Sequence, residues 1–111
     1  MKISNNKTVV EIEEEFNKLF PYLRLKVFRN ATEIVTPSQL RPSSLRKFNQ
    51  LDDLYILPGM SIDSLEKMFR DEFDLQIKLF RKSGKEWIET KLTGHWTLEE
   101  QNREGEILSS K

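Results

Sequence analysis

The amino-acid sequence predicts an α+β domain: an antiparallel sheet that carries its helices on one face. Three observations lead there. The chain has 111 residues, 37% hydrophobic and 32% charged, the size and balance of one well-solvated globular domain. The stretch SIDSLEKMFRDEFDLQIKLFR, residues 61–81, echoes TVVEIEEEFNKLFPYLRLKVFR, residues 8–29. In both stretches the hydrophobic spacing changes from a helical period to strict alternation.

The elements follow in order. MKIS at residues 1–4 lies over LYIL at residues 54–57, with Ile3 over Ile56, so each half opens with a short strand. Val9, Ile12, Phe16 and Phe20 then match Ile62, Leu65, Phe69 and Phe73. Steps of three or four residues make each set one face of a helix. Thr8 and Ser61 are N-caps, and Thr8 with Glu11 forms a capping box. Next, Leu23, Leu25 and Val27 alternate with Arg24, Lys26 and Phe28, as Leu75, Ile77 and Leu79 do with Gln76, Lys78 and Phe80. Each set is a strand with one apolar face. Two strand-helix-strand units in one small domain predict the ferredoxin-like order β-α-β-β-α-β.

Two segments fall outside the repeat. The link at residues 30–53 carries Pro37, Pro42 and a helical-looking SSLRKFNQ, and connections of this length are often functional. After residue 81, KSGKE reads as a hairpin turn and WIETK, residues 87–91, as an added strand. TLEEQNREGE opens with a second capping box, Thr97 to Glu100, and reads as a polar helix ended by Gly105. The expected map is one domain: repeat 1–29, link 30–53, repeat 54–81, added strand and helix 82–106, tail 107–111.

Composition excludes several kinds of chemistry. The 18 basic and 18 acidic residues cancel, which argues against strong unspecific attraction to nucleic acid or an anionic membrane. Residues 21–53 lean basic and residues 83–111 lean acidic. The chain has no cysteine, so disulfides, thiolate catalysis and cysteine-ligated metals are out. No apolar run reaches the length of a membrane helix, and the first residues lack the apolar core of a secretory signal. The expected location is cytoplasmic, with no membrane partner.

The segments FPYLRLKVFR, FRKSGKEWIET and TLEEQNREGE resemble a family of short bacterial hypothetical proteins. The similarity covers most of the chain and is most specific in RKSG…W…TLEEQNREGE. It implies no activity, cofactor or catalytic residue, because none is established for that family.

The chemistry-bearing residues are few. His95, in TGHWT beside Trp96, is the one histidine. It would act as a general base only in a cleft with a carboxylate to orient it. Glu11, Glu14 and Glu15 share a helix start, where acidic residues suit the helix dipole. No phosphate-binding glycine motif occurs. No cofactor and no metal site are expected. The sharpest hint is the sheet face turned away from the helices, where alternation places Arg24, Lys26, Phe28, Gln76, Lys78 and Phe80, with Tyr55 and Lys2 expected alongside. Cations among aromatics suit a protein interface. These features predict a non-enzymatic protein-interaction or regulatory module, with a protein partner or self-association through that face or the basic link. The alternatives are a nucleic-acid-binding domain that uses the same face to stack bases and a small enzyme built on His95.

Overall fold

The computed structural model describes residues 1–3, 7–35 and 54–110. In chain order these form β1 (Lys2–Ile3), α1 (Val9–Leu19), β2 (Leu23–Arg29), β3 (Thr32–Glu33), β4 (Leu54–Tyr55), α2 (Ile62–Phe73), β5 (Gln76–Ser83), β6 (Glu86–Glu89) and α3 (Leu98–Ser109). A 3-10 turn at Lys91–Thr93 precedes α3. The class is α+β with antiparallel sheets, as predicted.

Each helix starts where its cap directs. The Thr8 hydroxyl accepts from the Glu11 N–H at 3.2 Å while the Glu11 carboxylate accepts from the Thr8 N–H at 3.2 Å. Thr97 and Glu100 repeat the exchange at 3.1 Å both ways. Ser61 accepts from Ser64 N–H at 3.1 Å. The apolar faces that follow are buried: Val9, Ile12 and Phe16 on α1, and Ile62, Leu65, Phe69 and Phe73 on α2. They pack on Leu23, Leu25, Val27, Ile77 and Leu79 of the sheet in one continuous core.

Strand pairing departs from the ferredoxin-like expectation. That order would set β1 and β4 between β2 and β5 in one sheet. Instead β2 pairs directly with β5 in a sheet ordered β3-β2-β5-β6, and β1 pairs with β4 in a separate two-stranded ladder. The physical reason is length. β1 and β4 have two residues each, too few to bridge long neighbours. The β2–β5 register runs unbroken from Leu23↔Arg81 to Phe28↔Gln76. Residues matched in the sequence alignment face each other across both ladders: Lys26 opposes Lys78, and Lys2 opposes Tyr55. A twofold axis between the halves would produce this pairing.

Each long strand is followed by a short hairpin strand. β3 lies within residues 30–53, taken from sequence as a link, and folds back on β2 through a two-residue turn at Asn30 and Ala31, with φ of 50° and 64°. β6 folds back on β5 through Gly84, φ 64°. Each half is thus strand, helix, strand and hairpin strand. The helical reading of residues 43–50, and the course of the link from 36 to 53, lie outside the described residues.

Two boundaries differ from expectation. β6 covers residues 86–89, because Thr90 leaves the strand to enter the 3-10 turn. Its carbonyl accepts from Thr93 N–H at 3.0 Å. α3 does not stop at Gly105 but continues to Ser109, so the expected tail is mostly helix. A glycine inside a helix is unfavourable by about 1 kcal/mol but does not end it. Here the missing side chain is needed: a Cβ at Gly105 would lie 2.7 Å from Tyr22 Cβ.

α3 is anchored by buried polar groups. Gln101, fully buried, donates to the Thr93 carbonyl at 2.8 Å and accepts from the Arg81 guanidinium at 2.9 Å. Asn102 accepts from Tyr22 N–H at 2.9 Å. No described helix is long and apolar enough to cross a membrane.

Candidate functional site: the sheet face opposite the helices and the groove beside it

Directly paired residues of an antiparallel ladder share a face, and neighbours along a strand alternate. With Leu25 and Leu79 turned to the helices, Arg24, Lys26, Phe28, Gln76, Lys78 and Phe80 share the other face. β6 adds Trp87, paired with Lys82, to the same side. No described helix packs there.

The face is organised by cations over rings. The Arg24 guanidinium lies 4.2 Å from the centre of the Trp87 ring, and the Lys78 ammonium 5.2 Å from that of Phe28. Lys26 and Lys78 stand directly opposed, an arrangement of like charges that destabilises a ladder. They are drawn to different partners, Lys78 to Phe28 and Lys26 to the Glu33 carboxylate at 3.0 Å. Phe28, Phe80 and Trp87 are each half-buried.

The structure therefore brings six of the residues singled out from sequence together: Arg24, Lys26, Phe28, Gln76, Lys78 and Phe80. Tyr55 is not among them. It stands 48% exposed on the separate β1–β4 ladder, opposite Lys2, because that strand did not enter the larger sheet. Trp96 lies on the helix-covered side, its ring centre 5.7 Å from the Arg81 guanidinium. His95 is exposed in the turn before α3, and among the described residues no hydrogen bond orients its ring. Glu11 holds the Thr8 N–H and Glu15 pairs with Lys7 at 2.8 Å. Among the described residues no three acidic or histidine side chains are grouped to hold a metal ion.

Two glutamates that sequence reasoning passed over line clefts between a helix and a strand edge. Glu13 on α1 accepts from the Val27 N–H at 3.0 Å. Its pKa is raised, chiefly by burial, against the lowering effect of that bond. Its counterpart Glu66 on α2 lines a cleft of about 390 Å³ with Asp63, Arg70, Glu89, Lys91, Leu75 and the β5 residues Gln76 to Leu79. Burial again raises the Glu66 pKa most, and Asp63 and Glu89 raise it further. Both sit at solvent-facing positions of the helical pattern, so periodicity alone gives no signal for them.

No family model matches the chain, and no curated protein or solved structure is similar to it.

Proposed function

We propose that the protein is a non-enzymatic protein-interaction module that docks a partner on the face of its four-stranded sheet that the described helices leave open. The observation that carries this reading is the row of cations over rings, Arg24 on Trp87 and Lys78 on Phe28, on a face left open by the described helices. Aromatic and arginine side chains with fixed geometry are what interface centres are made of. Arg24, Lys26, Lys78 and Lys82 outnumber Glu33 and Glu89 there, so the matching surface is one that presents carboxylates. A nucleic acid is the second reading, favoured by the same basic and aromatic groups. It ranks lower because a stacked base would have to displace the chain's own cations from Phe28 and Trp87.

The same proposal treats the two halves as copies of one folding unit. The element order stays ferredoxin-like, but the second strands of the units meet at the centre. The opposition of Lys26 to Lys78 supports it. Membership in the bacterial family, and a cytoplasmic location, rest on the sequence motifs and composition alone.

The test compares capture of proteins from cell extract by the parent chain and by a chain carrying Arg24→Glu and Lys78→Glu. A partner lost with the substitutions, and rebound by the purified parent chain, is the expected result. Equal capture by both chains, or a salt-dependent shift with single-stranded oligonucleotide in place of any protein partner, would overturn it.

A further inference from the structure

The cleft beside α2 has a feature that the sheet face lacks: an open strand edge. β5 pairs with β2 on one side and with β6 on the other, but the β6 ladder reaches only from Ser83 to Phe80. The last contact is the Thr90 N–H donating to the Leu79 carbonyl at 3.0 Å. The Leu79 carbonyl therefore points away from β2. Backbone groups two residues apart in a strand point the same way, so the N–H and C=O of Ile77 point outward too. Among the described residues no strand pairs with β5 there.

This edge forms one wall of the cleft, and Asp63, Glu66 and Arg70 of α2 form the other. Glu89, Thr90 and Lys91 close one end, where the chain of β6 turns away. The slot is thus collinear with β6 and bounded by a helix. An extended segment of about four residues, at roughly 3.3 Å each, spans it from Gln76 to Leu79.

We propose that this slot is a strand-addition site for an extended segment of a partner protein that carries a lysine or arginine, with backbone bonds to Ile77 and the cation beside Glu66. Main-chain bonding of this kind supplies affinity, and side-chain pockets supply selectivity. The charge preference follows from Glu66 itself, whose counterpart Glu13 reaches the β2 edge. Burial, Asp63 and Glu89 raise the Glu66 pKa, while Arg70 and Lys91, which line the same cleft, lower it. A cation held against the Glu66 carboxylate offsets its burial.

On β2 the counterpart of Leu79 is Val27, and its outward groups are both held. There the Val27 carbonyl accepts from Ile34 N–H at 2.9 Å, and the Val27 N–H is held by Glu13. The cleft on that side is smaller, about 230 Å³. Among the described residues Glu66 makes no such bond to the counterpart Leu79 N–H, so the helix leaves that donor unheld in the second copy. The slot shares Gln76, Lys78 and Glu89 with the sheet face opposite the helices, but it is built on the β5 backbone edge, and the proposal stands whether or not that face docks a protein.

The test uses the full chain, isotopically labelled, and a blocked peptide that alternates threonine and valine with lysine at its centre. Binding should slow hydrogen exchange at the Ile77 amide. Glutamate in place of the central lysine should weaken binding about tenfold, the scale of one lost charge-assisted hydrogen bond. Glu66→Gln should erase that discrimination while leaving the protection of Ile77 intact. The proposal falls if Ile77 exchanges at the same rate with excess peptide, or if a backbone N-methylated peptide binds as well as the parent. A dimer joined through two β5 edges, seen by sedimentation and undisturbed by peptide, would also overturn it.

Discussion

Ala31 sits at φ 64° in the tight turn between β2 and β3. An L-residue with a Cβ is strained in the left-handed region by about 1–2 kcal/mol, and glycine is not. Ala31→Gly should therefore stabilise the protein, by about 1 kcal/mol once the greater freedom of glycine in the unfolded chain is subtracted. Chemical denaturation measures it, and a loss of stability would show that the turn does not hold this conformation. Glu66 gives a second prediction at this scale. Its folded pKa is raised from the ordinary value of 4.5, so the folded state binds a proton more readily than the unfolded one. Ionising Glu66 is then a penalty, fully present above its folded pKa and absent below the ordinary carboxyl range. Glu66→Gln should raise the melting temperature at pH 7, and the gain should vanish as the pH falls below about 4. Because the side chain is largely exposed, screening keeps the effect small. Glu100 has the opposite sign: its bonds to Thr97 lower its pKa, so its contribution is lost as pH falls through the folded value.

At the scale of elements, helix starts were legible in the sequence and helix ends were not. Thr8 with Glu11 and Thr97 with Glu100 are local signals, complete within four residues, and both capping boxes form. The end of α3 depends on something remote. Gly105 reads as a stop, but it is interior, pressed against Tyr22 and the Arg81 side chain. Gly105→Ala tests this directly. Helix propensity alone predicts a gain of about 1 kcal/mol. The close approach to Tyr22 predicts a net loss of about 1–3 kcal/mol instead, read by thermal or chemical unfolding. Gln101 makes the same point from the other side. In sequence it belongs to a polar helix, yet it is fully buried because Arg81 and Thr93 supply its partners. Such a hub has no periodic signature, since what it needs lies on another element.

For the whole molecule, the central ladder joins residues of the two halves, and among the described residues neither half contains a strand partner for its own long strand beyond a short hairpin. Isolated two-stranded pieces of this kind are marginal in water. Residues 1–53 and 54–111, expressed separately, should each be largely unfolded by circular dichroism, while the intact chain unfolds in one cooperative transition. A half that folds alone would show that the apolar faces do not need each other.

The sequence alone determined the fold class, the helix starts, the alternation of β2 and β5 and the set of side chains on the sheet face opposite the helices. These follow from hydrophobic period and capping, which are properties of neighbouring residues. Arg24, Lys26, Phe28, Lys78 and Phe80 shared a face on that ground before any pairing was known. Tertiary structure decided which strands meet. A period of two says which face a residue takes but nothing about the neighbour across the ladder. That choice put Lys26 against Lys78, left Tyr55 on another ladder and opened the edge of β5 beside Glu66, because two long apolar strands bury more by pairing with each other than with two-residue ones.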